Sequence, residues 1–98
     1  MIVAELSITV LGESSSISRF VQVAVQELRK SGLKTLPGPN GTSIEAVNID
    51  EILGAVRAAH MAVVDTGAKR VVTTLKLDDR RDKPASMETK LRAINPSP

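Results

Sequence analysis

The chain has 98 residues, with 13 Lys and Arg against 11 Asp and Glu for a net charge of +2, no cysteine, and one aromatic side chain, Phe20. Without cysteine there is no disulfide framework, thiolate metal site or thiol nucleophile. A charge this small and interleaved, with one ring to stack on, argues against a nucleic-acid binder.

The first strand is the clearest element. Residues 2–10 set Ile2, Ala4, Leu6, Ile8 and Val10 on one side and Glu5, Ser7 and Thr9 on the other, the period of two of a half-buried strand. The same stretch has no basic leader and is interrupted by polar residues, so it reads as neither signal peptide nor membrane span, and a cytosolic location is expected. After Gly12, the hydroxyls of Ser14, Ser15 and Ser16 offer N-caps, and Ile17, Val21, Ala24, Val25 and Leu28 recur at helical spacing until Ser31 and Gly32. A short strand over 33–36 is stopped by Pro37-Gly38-Pro39. A second, over 42–47, alternates Thr42, Ile44 and Ala46 against Ser43 and Glu45, and the two strands form a hairpin.

Asn48 and Glu51 have the spacing of a capping box, with Val47 and Ile52 as its hydrophobic staple. The second helix that follows is predicted to bury Ile52, Leu53, Val56, Ala59 and Val63 and to close at Gly67 in a left-handed conformation. A last strand over 69–79 would span on the order of 35 Å at the usual rise. That is long for a small sheet, and part of it is expected to pair with another subunit. Ser86 caps a short terminal helix carrying Met87, Leu91 and Ile94, and Asn95-Pro96-Ser97-Pro98 reads as a tail.

The order β-α-β-β-α-β with right-handed connections predicts a single α+β domain over residues 1–98 with the ferredoxin-like fold. Its antiparallel sheet has strand one between strands three and four, and both long helices cover one face. Alternation then puts Val3, Glu5, Ser7, Ser43, Glu45, Val47, Val72, Thr74 and Lys76 on the face without them. That surface is too mixed for a dry core and too rich in hydroxyls and valines for an ordinary charged one. It is read as the wall of a wet cleft roofed by a partner subunit.

Three other constellations read as structural. The charges of residues 78–83 form a solvated turn or an ion-pair network, since nothing makes their carboxylates converge on a metal or a proton. His60 has no second His or Cys to build a metal site with, and Phe20 and Met61 are packing residues. The loop over residues 12–19 is a rival site, because backbone N–H groups, hydroxyls and Arg19 at a helix start can hold a phosphate or sulfate. Acylphosphatases use this fold and this loop, but their glycine pattern is not met and Glu13 repels anions.

The segment from Gly67 through Lys69-Arg70-Val71-Val72-Thr73-Thr74-Leu75-Lys76-Leu77-Asp78-Asp79 to Pro84, the opening Met1-Ile2-Val3-Ala4-Glu5-Leu6-Ser7, and the turn Gly38-Pro39-Asn40-Gly41-Thr42 together resemble the small thiamine-binding-protein family over nearly the whole chain. The resemblance implies a non-catalytic cytosolic binder of thiamine (vitamin B1) or its hydroxymethyl-pyrimidine moiety. It also implies a homotetramer built as a dimer of dimers, with no metal and no cofactor. A thiazolium favours nearby carboxylates and an aminopyrimidine needs donors and acceptors. Glu5 and Glu45 can supply the charge; Ser7 and Thr74, with the backbone of Asn40, Gly41 and Thr42, can supply the directional bonds. The two glutamates can equally pair with Lys76 or with a basic residue of a neighbouring subunit. The remaining alternatives are the anion-binding or acylphosphatase-like loop and a purely structural oligomer.

Overall fold

Alternation in the first strand decides the layering. In β1 (Ile2–Leu11) the side chains of Ile2, Ala4, Leu6 and Val10 are buried while Glu5 and Thr9 are exposed. The computed structural model describes residues 1–12 and 17–95. After β1 it runs α1 (Ser18–Lys30), β2 (Lys34–Pro37), β3 (Thr42–Ala46), α2 (Ile49–Asp65), β4 (Arg70–Asp78) and α3 (Met87–Ile94). The strands pair antiparallel in the order β2-β3-β1-β4, which is the ferredoxin-like arrangement expected from the element order.

One face of the sheet packs under α1 and α2. Phe20, Ala24 and Leu28 of α1 and Ile52, Ala55, Ala59 and Val63 of α2 close over Ile2, Ala4, Leu6, Val10, Ile44 and Ala46. The buried stripe of α2 is shifted from the predicted one: Leu53 is 46% exposed and Ala55 takes its place at 4%. Two small residues one turn apart, Ala55 and Ala59, let the helix lie close to the sheet, and Leu53 turns outward.

Helix ends follow local chemistry with two corrections. Asn48 caps α2 by accepting from the Glu51 N–H at 2.9 Å, but Glu51 accepts from the Asn48 side-chain amide at 3.0 Å rather than from its backbone, so the reciprocal bond joins side chains. The predicted staple is not made, since Val47 is 73% exposed while Ile52 is fully buried. Asn48→Ala is expected to cost about 1 kcal/mol of stability by freeing the first turn of α2, read as a shift in the urea midpoint. At the other end Gly67 adopts φ +96, as predicted, with its N–H donating to the Val64 carbonyl at 3.0 Å. The α1 N-cap position is Ile17, which makes no side-chain cap bond. The proposed caps Ser14, Ser15 and Ser16 lie outside the described residues.

Helix α3 lies on the other face of the sheet. Ser86 and Thr89 form its capping box, and Met87 is buried. Its first turn is anchored by Glu45, whose carboxylate accepts from the Met87 N–H at 2.8 Å. Lys90 pairs with Asp78. Glu45 and Asp78 sit on either side of Val3 in the register, so α3 crosses the sheet at that row. Between the layers on the first face, His60 Nδ1 lies 2.6 Å from Thr73 Oγ1 and ties α2 to β4.

Candidate ligand-binding site

The β2–β3 hairpin creates the site by ending early. Its two-residue tip, Pro39-Asn40, is closed by the Gly38 N–H donating to the Gly41 carbonyl at 2.8 Å. Strand β3 begins at Thr42, opposite Leu6, whereas β1 continues to Leu11 paired with β4 alone. From Ser7 onward, then, one edge of β1 faces no strand among the described residues. Gly41 is where the tip crosses that edge: a Cβ there would stand 3.2 Å from both the Leu6 carbonyl oxygen and the Glu5 Cγ, tighter than a side chain tolerates without displacement.

A cavity of about 310 Å³ opens between this bare edge, the hairpin tip and α1. Its polar side is Ser7, Asn40, Gly41 and Thr42; its apolar side is Ile8 with Ile17, Val21 and Val25 of the α1 region. Ile17, Val21 and Val25 share one helical face at a spacing of four, and Ile17 and Val21 are half-exposed. The cavity therefore has one wall of aliphatic side chains and one of hydroxyl, amide and main-chain groups, the mixture suited to a flat heteroaromatic ligand.

Of the residues singled out from sequence, Ser7, Asn40, Gly41 and Thr42 converge on this cavity and Glu5, Glu45 and Thr74 do not line it. Strand parity sets Thr42 apart from the last three, whereas Ser7 shares the parity of Glu5 and Thr74 and reaches the cavity from the edge of β1. Thr42 is buried under the helices with Ile44 and Ala46, while Glu5, Glu45 and Thr74 belong to the opposite face. Thr74 is exposed across from Ser7, and Glu5 lies between Ser43 and Lys76 at the hairpin tip. Glu45 is 8% exposed and engaged by α3. Among the described residues no ion pair joins Glu5 or Glu45 to Lys76. The sequence marks Ile8, Ile17, Val21 and Val25 only as apolar positions of a strand and a helix; the signal that could have found them is the ridge at 17, 21 and 25, one position off the buried stripe of Phe20, Ala24 and Leu28.

Charged groups beyond the end of β4 find partners locally. Arg80 bonds Asp82 at 2.8 Å and Arg81 bonds Asp79 at 2.9 Å, and among the described residues no cluster of three His, Asp or Glu could hold a metal. In the rival loop, the Arg19 guanidinium lies over the Phe20 ring at 4.7 Å, and residues 13–16 are outside the described part. The hydrogen bond from Lys90, and then its charge, hold the Asp78 carboxyl below its ordinary value. A depressed carboxyl stabilises the fold above its unfolded pKa and loses that contribution as pH falls through the lower folded value. A carbon-13 titration should therefore place the Asp78 midpoint below 3.8, and Lys90→Ala should raise it.

Comparison with known proteins agrees with this architecture. The profile described as thiamine-binding protein matches residues 4–95. The UPF0045 protein of Methanothermobacter thermautotrophicus is 43% identical over 95 residues, covering 96% of each chain. The crystal structure of a hypothetical protein from Methanocaldococcus jannaschii superposes with a TM-score of 0.88 at 41% identity, covering 96% of this chain and 95% of that one. A Thermotoga maritima protein provisionally assigned to thiamine biosynthesis or salvage shares the fold, with a TM-score of 0.80 at 20% identity over 95% of this chain and 97% of its own. No described helix is long and apolar enough to cross a membrane.

Proposed function

Because the chain belongs to the thiamine-binding protein family, we propose that it holds thiamine, or the hydroxymethyl-pyrimidine half of it, in the cavity between the hairpin tip and α1 and releases it unchanged. The carrying observation is the cavity: about 310 Å³, walled on one side by Ile17, Val21 and Val25 and on the other by Ser7, Asn40, Gly41 and Thr42. That size lies at the lower end of small-molecule pockets. The aliphatic wall suits the faces of a ring and the polar wall suits its edge. Glu5, whose side chain reaches the hairpin tip at Gly41, is the carboxylate best placed to attract the thiazolium from outside the cavity. Glu45 we assign to anchoring α3 instead.

The open face is the proposed surface on which copies of the chain meet, in the cytoplasm, as a dimer of dimers. Leu36 and Val72 support it, being large apolar side chains that stand partly exposed on that face among Ser7, Ser43 and Thr74.

Calorimetric titration tests the binding reading. Thiamine or hydroxymethyl-pyrimidine should release heat and raise the melting temperature, since a ligand at a hundred times its Kd stabilises the native state by about 2.7 kcal/mol. The absence of both heat and stabilisation at millimolar ligand would remove the reading. Light scattering gives the oligomeric state separately.

A further inference from the structure

The edge of β1 inside the cavity has a polarity that can be worked out residue by residue. Pro37 faces Thr42 across the β2–β3 hairpin. Proline has no N–H, so this pair cannot exchange ladder bonds, and the N–H and C=O of Thr42 turn the other way, toward Leu6. The Gly38 to Gly41 bond fits the same phase, because positions 38 and 41 are the next hydrogen-bonded pair of that hairpin. The Leu6 carbonyl oxygen, only 3.2 Å from where a Gly41 Cβ would be, also points to the β3 side. Alternation then carries Ile8, two residues on, to that side as well. Its partner in the register would be Asn40, but the chain turns away there at the hairpin tip, and Ile8 lines the cavity.

Ile8 therefore directs its own N–H and C=O, side by side, to an edge where no strand among the described residues meets them. In a sheet such a couple is satisfied by a facing residue that offers one acceptor and one donor at the same spacing. A 4-aminopyrimidine has that complement on one edge: the amino group donates and the adjacent ring nitrogen accepts.

We propose that the main chain of Ile8 reads the aminopyrimidine edge of the ligand as if it were the next strand, its carbonyl accepting from the amino group and its N–H donating to the ring nitrogen, while Val21 and Val25 flank the ring. This rests on the reading of the cavity given above and adds what that reading leaves open, namely which half of the ligand is recognised and by what. Selectivity here lies in the backbone, where no side-chain substitution can alter its donor–acceptor order. A 4-oxopyrimidine presents the order reversed, with an oxygen facing the carbonyl and a ring N–H facing the N–H, and leaves both protein groups unpaired.

The test uses the unmodified protein and three ligands in calorimetry: thiamine; pyrithiamine, which keeps the aminopyrimidine and replaces the thiazolium; and oxythiamine, which has the 4-oxo ring. The expected result is that pyrithiamine binds within about threefold of thiamine and oxythiamine binds roughly a hundredfold more weakly, since a site built to hydrogen-bond one edge rejects its mismatch strongly. Hydrogen exchange at the Ile8 amide should slow by about tenfold or more on adding thiamine and stay fast with oxythiamine. Equal affinity for thiamine and oxythiamine, or an Ile8 amide that thiamine does not protect, overturns the backbone reading and leaves thiamine binding standing. Failure of thiamine itself to bind overturns both.

Discussion

Phe20→Ala is expected to remove about 3–5 kcal/mol of folding stability, the usual cost of deleting a fully buried ring. Phe20 is 1% exposed, the only aromatic residue in the chain, and part of the cluster in which α1 meets the sheet. Its neighbours are aliphatic and already in contact, so they can close only part of the space it leaves. A domain of this size holds roughly 5–15 kcal/mol in all, which makes this the most damaging single truncation foreseen. Urea unfolding should show the midpoint falling at constant slope; a loss under about 1 kcal/mol would mean that the ring does not organise the core.

Val21→Trp should act on binding instead. Val21 lines the cavity yet is 41% exposed, so an indole there can occupy the space proposed for a ligand ring without being forced into the core. Thiamine affinity is expected to fall roughly a hundredfold while the melting temperature moves by no more than about 2 °C, because substitutions at half-exposed positions perturb stability little. Thr74→Val is the matching control on the opposite face, expected to leave affinity within about twofold. The reverse pattern, with Thr74→Val abolishing binding and Val21→Trp tolerated, would transfer the site to the open side of the sheet.

The architecture was legible in the sequence because its signals are local. Period-two alternation in residues 2–10, the helical recurrence of Ile17, Val21, Ala24, Val25 and Leu28, Pro37-Gly38 at a turn and Gly67 at a helix end each depend on a few neighbouring residues. Where the reading slipped, a distant partner decided. Leu53 and Ala55 are both acceptable on a buried stripe, and only the closeness of α2 to the sheet selects the alanine. Glu45 looked like a ligand carboxylate because nothing near it in sequence announces the Met87 N–H, forty-two residues on, that it serves. The candidate site was legible only in part. The hairpin tip and Ser7, named from the sequence for a cleft on the open face of the sheet, line a cavity on the α1 side instead, and the alternation of Thr42 with Ile44 and Ala46 already set it apart from Glu5 and Thr74. The wall from Ile17 to Val25 went unread as such, since an aliphatic ridge on a helix carries no mark that tells a ligand surface from a core.

The longest ladder in the sheet joins β1 to β4, from Val3 opposite Asp78 to Leu11 opposite Arg70. During synthesis at roughly 5–20 residues per second, β1 must leave the ribosome and wait several seconds for the strand that completes it. Through that interval its apolar side chains and one row of amide groups are open to any passing chain, and the loop to be closed is long, which slows folding. Overexpression should therefore burden this protein through nascent chains rather than finished ones, and a chaperone that shields emerging polypeptide should raise its soluble yield.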